Sequence, residues 1–587
     1  MKKYIFLALI AILLGACNED KFLKETPMDF MGGDNSYSTA ADFDLAINEL
    51  YYLTRLEFFA NSDRSIDFIY GTDLVFEGSS EKSNLLSNYS ISGTIAQAHW
   101  DKLYLLIAQS NVVLTRLPKS SLTEAQQAAF VAKAKFFRGL AYRTLAYLYG
   151  GVPIELNEVT TPKTDYVRAS YSETILQAIE DVKFAAEHLD DVADVKDGEV
   201  NAAAAYHLLS ELYLAADQYQ NAIDAATEVI GNSGLALMQN RFGSRATETP
   251  GNVYGDLFSM NNQNRSSGNK EGLFVMQFET NVSGGSSNTS YNFWDVGNYL
   301  LERHCAPQVA HFRIILSDGT QLTPFSWPIG DFTGGRGIGT AVLTVHSGTE
   351  VWSSDYENDL RNANCNIVRK FAFNNPTFKA NYGSTFGDSI DLDNLPAGVT
   401  FITGLSNQST FPGRYLCPYQ VKCTTPYHHP AALYNTNTAT EYDLNSTGGG
   451  TFTDQYMFRL AETYLLRAEA YLKLGNTSLA AADINVVRSR SKASSVAAAN
   501  VTMDYILDER LRELGIEEKR RLTLSRTGTF YDRVTRYNSY YTSPASSADG
   551  VGFITGTNTS KYILWPIPQS AIEANKDAVL EQNPGYN

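Results

Sequence analysis

Cys17 closes the run Leu14-Gly15-Ala16-Cys17 near the start of the chain, and its thiol is a nucleophile that acyl chains can modify. Lys2 and Lys3, the apolar stretch from Tyr4 to Leu14 and the small residues before the cysteine are the parts of an export signal. The apolar stretch is shorter than the roughly 20 residues a membrane-spanning helix needs, so the segment reads as one that is removed. Small-small-Cys is similar to a lipobox, in which cleavage makes Cys17 the first residue of a diacylated chain. Two chains anchor a protein firmly where one holds only marginally.

The other reactive side chains form weaker patterns. Cys305, Cys365, Cys417 and Cys423 remain, and outside the cytoplasm two pairs are open to oxidation, with Cys417 and Cys423 closing the smaller loop. His304, His428 and His429 lie near them, but no CxxC or HxxxH spacing supports zinc, and no metal site is expected. Asp388, Asp391, Asp393 and Asn394 are spaced like calcium ligands, yet the turn glycine and closing glutamate of a calcium loop are missing. Gly334-Gly335-Arg336-Gly337-Ile338-Gly339 lacks the preceding strand, the following helix and the lysine of a phosphate loop, so it reads as a glycine-rich loop near a ligand region. Neither GxSxG nor HExxH occurs, and no carboxylate pair stands out among 64 acidic residues, so no enzyme and no cofactor are expected. Trp294, Trp327 and Trp352 are different. Three of the five tryptophans sit among Gly, Ser, Asn and Asp, where a large ring has few apolar neighbours in sequence, and ring faces of this kind stack on ligands.

The net charge of −17 is spread along the chain, and Lys and Arg do not cluster, which excludes nucleic acid as a partner. The elements that must position the rings are mainly α. Phe137, Leu140, Ala141, Leu145 and Leu148 form a stripe that stops at Gly150-Gly151. Ser170 and Glu173 open its companion at capping-box spacing. Ala202 to Ala216 pairs with Ile223 to Ile230, and a stripe led by Met457 and running through Ala468 to Leu472 pairs with Ala480 to Val487. Phe43 to Leu50 and Trp100 to Leu117 make an earlier pair, with Asn111 read as a buried amide satisfied by backbone. These are tetratricopeptide-like helical pairs that stack as a solenoid scaffold, with a loop-rich ligand-binding region inserted between repeats. The expected organisation is a signal at 1–16, a lipid-anchored tether at 17–36, a helical-pair region at 37–234, a loop-rich variable region at 235–450, and a C-terminal pair and tail at 451–587 that packs with 37–234 as one body.

Five stretches together resemble the SusD/RagB family of outer-membrane nutrient-binding lipoproteins. They are Lys21-Phe22-Leu23-Lys24-Glu25-Thr26-Pro27; Ala134 to Tyr142 running on to Gly150-Gly151-Val152-Pro153; Phe458 to Ala470; Asp508 to Leu514 with Lys519-Arg520-Arg521; and Leu564-Trp565-Pro566-Ile567-Pro568 with Gln582-Asn583-Pro584-Gly585-Tyr586. The sequence departs from the family at Ile516-Glu517-Glu518-Lys519, where an aromatic and a glycine are commoner, and in the Cys- and His-rich segment from Arg414 to His429. The resemblance implies a surface lipoprotein that captures an oligosaccharide or polysaccharide and hands it to a SusC-like TonB-dependent transporter. It also implies that the loop before the Trp100 helix lines the site, which adds Tyr70, Asp73 and Phe76, with Asp73 as a hydroxyl acceptor. Asn18-Glu19-Asp20 after the acylated cysteine fits a tag for the extracellular side of the outer membrane. Two other readings stand beside it: a surface glycoside hydrolase of all-helical type, and a protein- or peptide-binding repeat scaffold.

Overall fold

A computed structural model describes residues 37–59, 66–78, 90–279, 300–330, 333–404, 411–423, 429–438, 441–445, 450, 453–542 and 563–586. The Cys17 anchor and Trp294 lie outside them. The scaffold begins with α1 (Ala40–Phe58), α2 (Thr94–Arg116), α3 (Glu124–Tyr149), α4 (Tyr171–His188), α5 (Ala202–Ala215) and α6 (Tyr219–Ile230). It resumes with α7 (Leu460–Lys473), α8 (Thr477–Arg490), α9 (Met503–Glu513) and α10 (Arg520–Arg526). Capping boxes at Thr39/Asp42, Thr123/Gln126 and Ser170/Glu173 satisfy the free N–H groups that open α1, α3 and α4. None of the described helices is long and apolar enough to cross a membrane.

Each helix packs on the next: α3 on α4, α4 on α5, α5 on α6. Gly139 sets one of these distances, because a Cβ there would lie 2.5 Å from Val182 Cγ2 and 3.1 Å from the Ala178 carbonyl. The stack then crosses the insertion, since α6 packs directly on α7 through Ala222, Ile223, Leu466 and Ala470, and α8 follows. Residues 231–459 leave the scaffold and return to the adjacent position. Met457 belongs to a strand rather than to the helix that its stripe implied. Gln455–Arg459 pairs antiparallel with Gly272–Met276, and Tyr456 and Phe458 point inward on the strand's period of two before α7 starts at Leu460. Asn111 is a buried amide whose Nδ2 donates to the carbonyls of Glu155 and Asn157, and its Oδ1 also accepts from Arg138.

The C-terminal tail of the sequence closes on the end of α3. Trp565 N–H donates to the Leu148 carbonyl, and Asn583 Nδ2 donates to the carbonyls of Tyr149 and Trp565. Carbonyls that a helix C-terminus leaves unpaired are thereby satisfied by residues more than 400 positions away. A buried ionic lattice joins the insertion to the scaffold. Glu513 on α9 accepts from Arg361, Arg459 and Arg490, while Arg459 and Arg490 also hold Glu271.

Candidate ligand-binding site

Trp327 lies on the loop that follows the strand Gln321–Leu322 and is 56% exposed. Its loop is held rigidly. Asn374 accepts from the Ser326 N–H and donates to the carbonyls of Ser326 and Pro328, and Asn375 donates to the Thr323 carbonyl. Phe325, fully buried against Phe312 and Phe373, anchors the same loop from below. The guanidinium of Arg336 sits over the indole, 5.3 Å from the ring centroid. A cation over the face of a tryptophan fixes the ring and sets polar donors at its edge.

The glycine run explains how Arg336 gets there. A Cβ on Gly335 would run into the Glu302 carboxylate, and one on Gly334 would press on Ala306 and the Tyr419 ring. The loop therefore lies flat on residues 302–306 and presents Arg336 to Trp327. Nearby Arg303 has its pKa lowered to about 10, by burial first and then by the charge of Arg336. The hairpin of Tyr434–Thr438 and Glu441–Leu444 borders the loop, with Asp443 bridging to Gly330 and Leu444 N–H donating to the Ile329 carbonyl. The indole, the guanidinium and the hairpin together offer stacking and hydrogen bonds to a ligand with an apolar face and polar rims.

The structure does not gather all the residues that the sequence pointed to. Trp352 is 1% exposed, with Nε1 donating to the Ser347 carbonyl, so it is a core residue and not a platform. Asp73 is fully buried and is no hydroxyl acceptor, because Arg520 and Arg533 take both its oxygens. Burial raises the Asp73 pKa, but those two guanidiniums outweigh it and hold the carboxyl well below the usual range. Tyr70 and Phe76 are also corrected: both are buried, and Phe76 stacks on Tyr540 at 5.2 Å in the strand paired with Ala341–Leu343. The sequence pointed to neither Arg336 nor Asp443 as a neighbour of the Trp327 loop. Arg336 was quoted only within its glycine run, and nothing in the sequence joins it to Trp327.

The metal-like neighbours have other occupations. His429 Nε2 is held by buried Glu302 at 2.8 Å, and His304 Nδ1 meets Thr340 Oγ1 at 2.5 Å. Asp393 accepts from the Tyr356 hydroxyl, and Asp391 accepts from the Asp393 N–H. Cys305 and Cys417 are free and buried.

Comparison with known proteins decides the kinship. Residues 344–586 match the SusD family, and residues 34–214 match the family described as starch-binding associating with outer membrane. The chain belongs to the SusD/RagB family. A SusD-like protein of Formosa agariphila is 22% identical over the whole length of both chains. The starch-binding protein SusD of Bacteroides thetaiotaomicron is 36% identical over 23% of this chain and 22% of its own. Among solved structures, a laminarin-binding SusD-like protein aligns over 94% of this chain and all of its own, with a TM-score of 0.64 and 21% identity. A surface glycan-binding protein of Bacteroides thetaiotaomicron, solved with laminarihexaose, aligns over 92% of this chain and 99% of its own, with a TM-score of 0.61 and 18% identity. These likenesses establish the mainly α, tetratricopeptide-like fold of the family member described here.

Proposed function

We propose that this SusD-family protein is a cell-surface lipoprotein that binds oligosaccharides on the Trp327 platform and passes them to a SusC-like TonB-dependent transporter. The observation that carries the reading is an exposed indole on a loop clamped by Asn374 and covered on one side by Arg336. Exposing so large an apolar ring costs free energy that a bound sugar face recovers. The family's starch- and laminarin-binding members make neutral glucans the first ligands to test. Trp294, which lies outside the described residues, is the second tryptophan to test by substitution. Cys17 carries the lipid anchor in this reading and faces the body outward from the outer membrane.

The test is calorimetric titration of laminarihexaose and maltohexaose into the parent and Trp327→Ala proteins, with the mixture then chromatographed for shorter sugars. Binding by the parent that Trp327→Ala loses, with the sugar recovered intact, supports the proposal. Equal binding by both proteins overturns the site, and shortened sugars overturn the non-enzymatic reading. Cys17→Ala should leave the outer-membrane fraction of a strain lacking the transporter, and persistence there would overturn the anchor.

A further inference from the structure

A second polar cavity, unrelated to the glycan site, lies inside the scaffold between α3, the strand leading into α7, and residues 514–523. It measures about 30 Å³ and is lined by Arg143, Phe458, Glu462, Glu517, Glu518 and Lys519, among others. The hydrogen bonds on its wall are unevenly distributed. Glu462 accepts from Arg510 and lies 3.5 Å from His207 Nε2. Glu517 accepts from Arg459 and Lys422. Glu518 accepts from Arg510, Thr523 and Arg520. Each carboxylate on the wall is therefore already paired with at least one cation.

The donors are not all paired. Arg143 is buried and spends Nε and Nη2 on Glu211, which leaves Nη1 without a partner. Half-buried Lys519 has its ammonium 4.0 Å above the Phe59 ring centroid, with no carboxylate at salt-bridge distance. Burial lowers its pKa to about 7, which Glu517 and Glu462 only partly oppose. With Lys519 protonated, the state that a bound anion favours, the two groups offer up to five N–H hydrogens to one small space. A buried donor left unmade costs about 1–3 kcal/mol, and more when it is charged.

We infer that this cavity binds one monovalent inorganic anion of chloride size, held by Lys519 Nζ and Arg143 Nη1. An anion accepts from every free donor and has no hydrogen of its own to place, whereas a water would leave the charges of Arg143 Nη1 and Lys519 Nζ without a counter-ion of their own. The volume admits one such ion or about two waters and is too small for a sugar. The ion would join α3 to the turn before α10 and so brace the scaffold. Its role is stabilisation, independent of the glycan site.

Crystals of the full chain grown in sodium bromide, with data collected at the bromine edge, test this directly. An anomalous peak within hydrogen-bond reach of Lys519 and Arg143 is expected, and water density without an anomalous signal would overturn the inference. Thermal melting gives a second reading that needs no variant. The midpoint should be about one degree or more higher in chloride than in gluconate at equal ionic strength. K519M should abolish that difference, and a parent that melts identically in both salts would overturn the proposal.

Discussion

Two tryptophans of the same loop-rich region have opposite fates. Trp327 and Trp352 have similar polar neighbours in sequence, but Trp352 is enclosed against residues of α9's surroundings while Trp327 stays at the surface. Trp327→Ala should therefore weaken glucan binding by about 0.5–1.5 kcal/mol beyond the area lost, with an unchanged melting temperature, as read by paired titration and calorimetry. Trp352→Ala should do the reverse, destabilising the fold by about 3–5 kcal/mol in urea while the folded fraction still binds. Asp73 teaches the same lesson about legibility. Its partners lie 447 and 460 positions away in sequence, so no local pattern distinguishes a buried ion-pair carboxylate from one that faces a ligand. Burial was invisible wherever long-range packing decided it.

At the scale of elements the sequence is far more explicit. The Ser170/Glu173 capping box, a glycine stop at Gly150 and apolar residues at helical spacing mark α3, α4 and the paired helices, because these signals act within a few residues of one another. Met457 was misplaced for a related reason: its strand is five residues long and runs straight into α7, so one apolar residue fits both periods. Ala468 lies wholly buried on α7, where Ala→Asp places an unpaired charge at a close helix contact. Ala468→Asp should cost several kcal/mol, read as a lower urea midpoint, whereas Leu479→Asp on exposed α8 surface should change it by less than about 0.5 kcal/mol.

Across the whole molecule, the ionic lattice dictates how stability depends on pH. Burial raises the Glu513 pKa, but Arg490, Arg459 and Arg361 outweigh it and bring the carboxyl down to about 2 from 4.5. The native state then binds fewer protons than the unfolded chain. Its stabilisation is present above about pH 4.5 and is lost as pH falls toward 2. Lys422 and Lys519 act at the other end, since burial lowers them to about 8 and 7 from 10.5. The unfolded chain there holds more protons, so stability should rise with pH between about 7 and 10. Urea midpoints in chloride-free buffer at pH 3, 5, 7 and 9 check both limbs, and a flat profile would contradict the lattice. Glu513→Gln should cost about 3–5 kcal/mol, because three guanidiniums lose one shared counter-charge. The insertion has a kinetic consequence as well. Because α7 docks on α6 across residues 231–459, the chain must bring together two points more than two hundred residues apart before the next repeat can add. Closing that span costs roughly 4 kcal/mol more than closing a three-residue turn such as the one between α5 and α6. Helices α3 to α6 can therefore assemble early from local contacts, while α7 and α8 join them late and slowly, so refolding should proceed in two phases separated by the search of a long tethered segment.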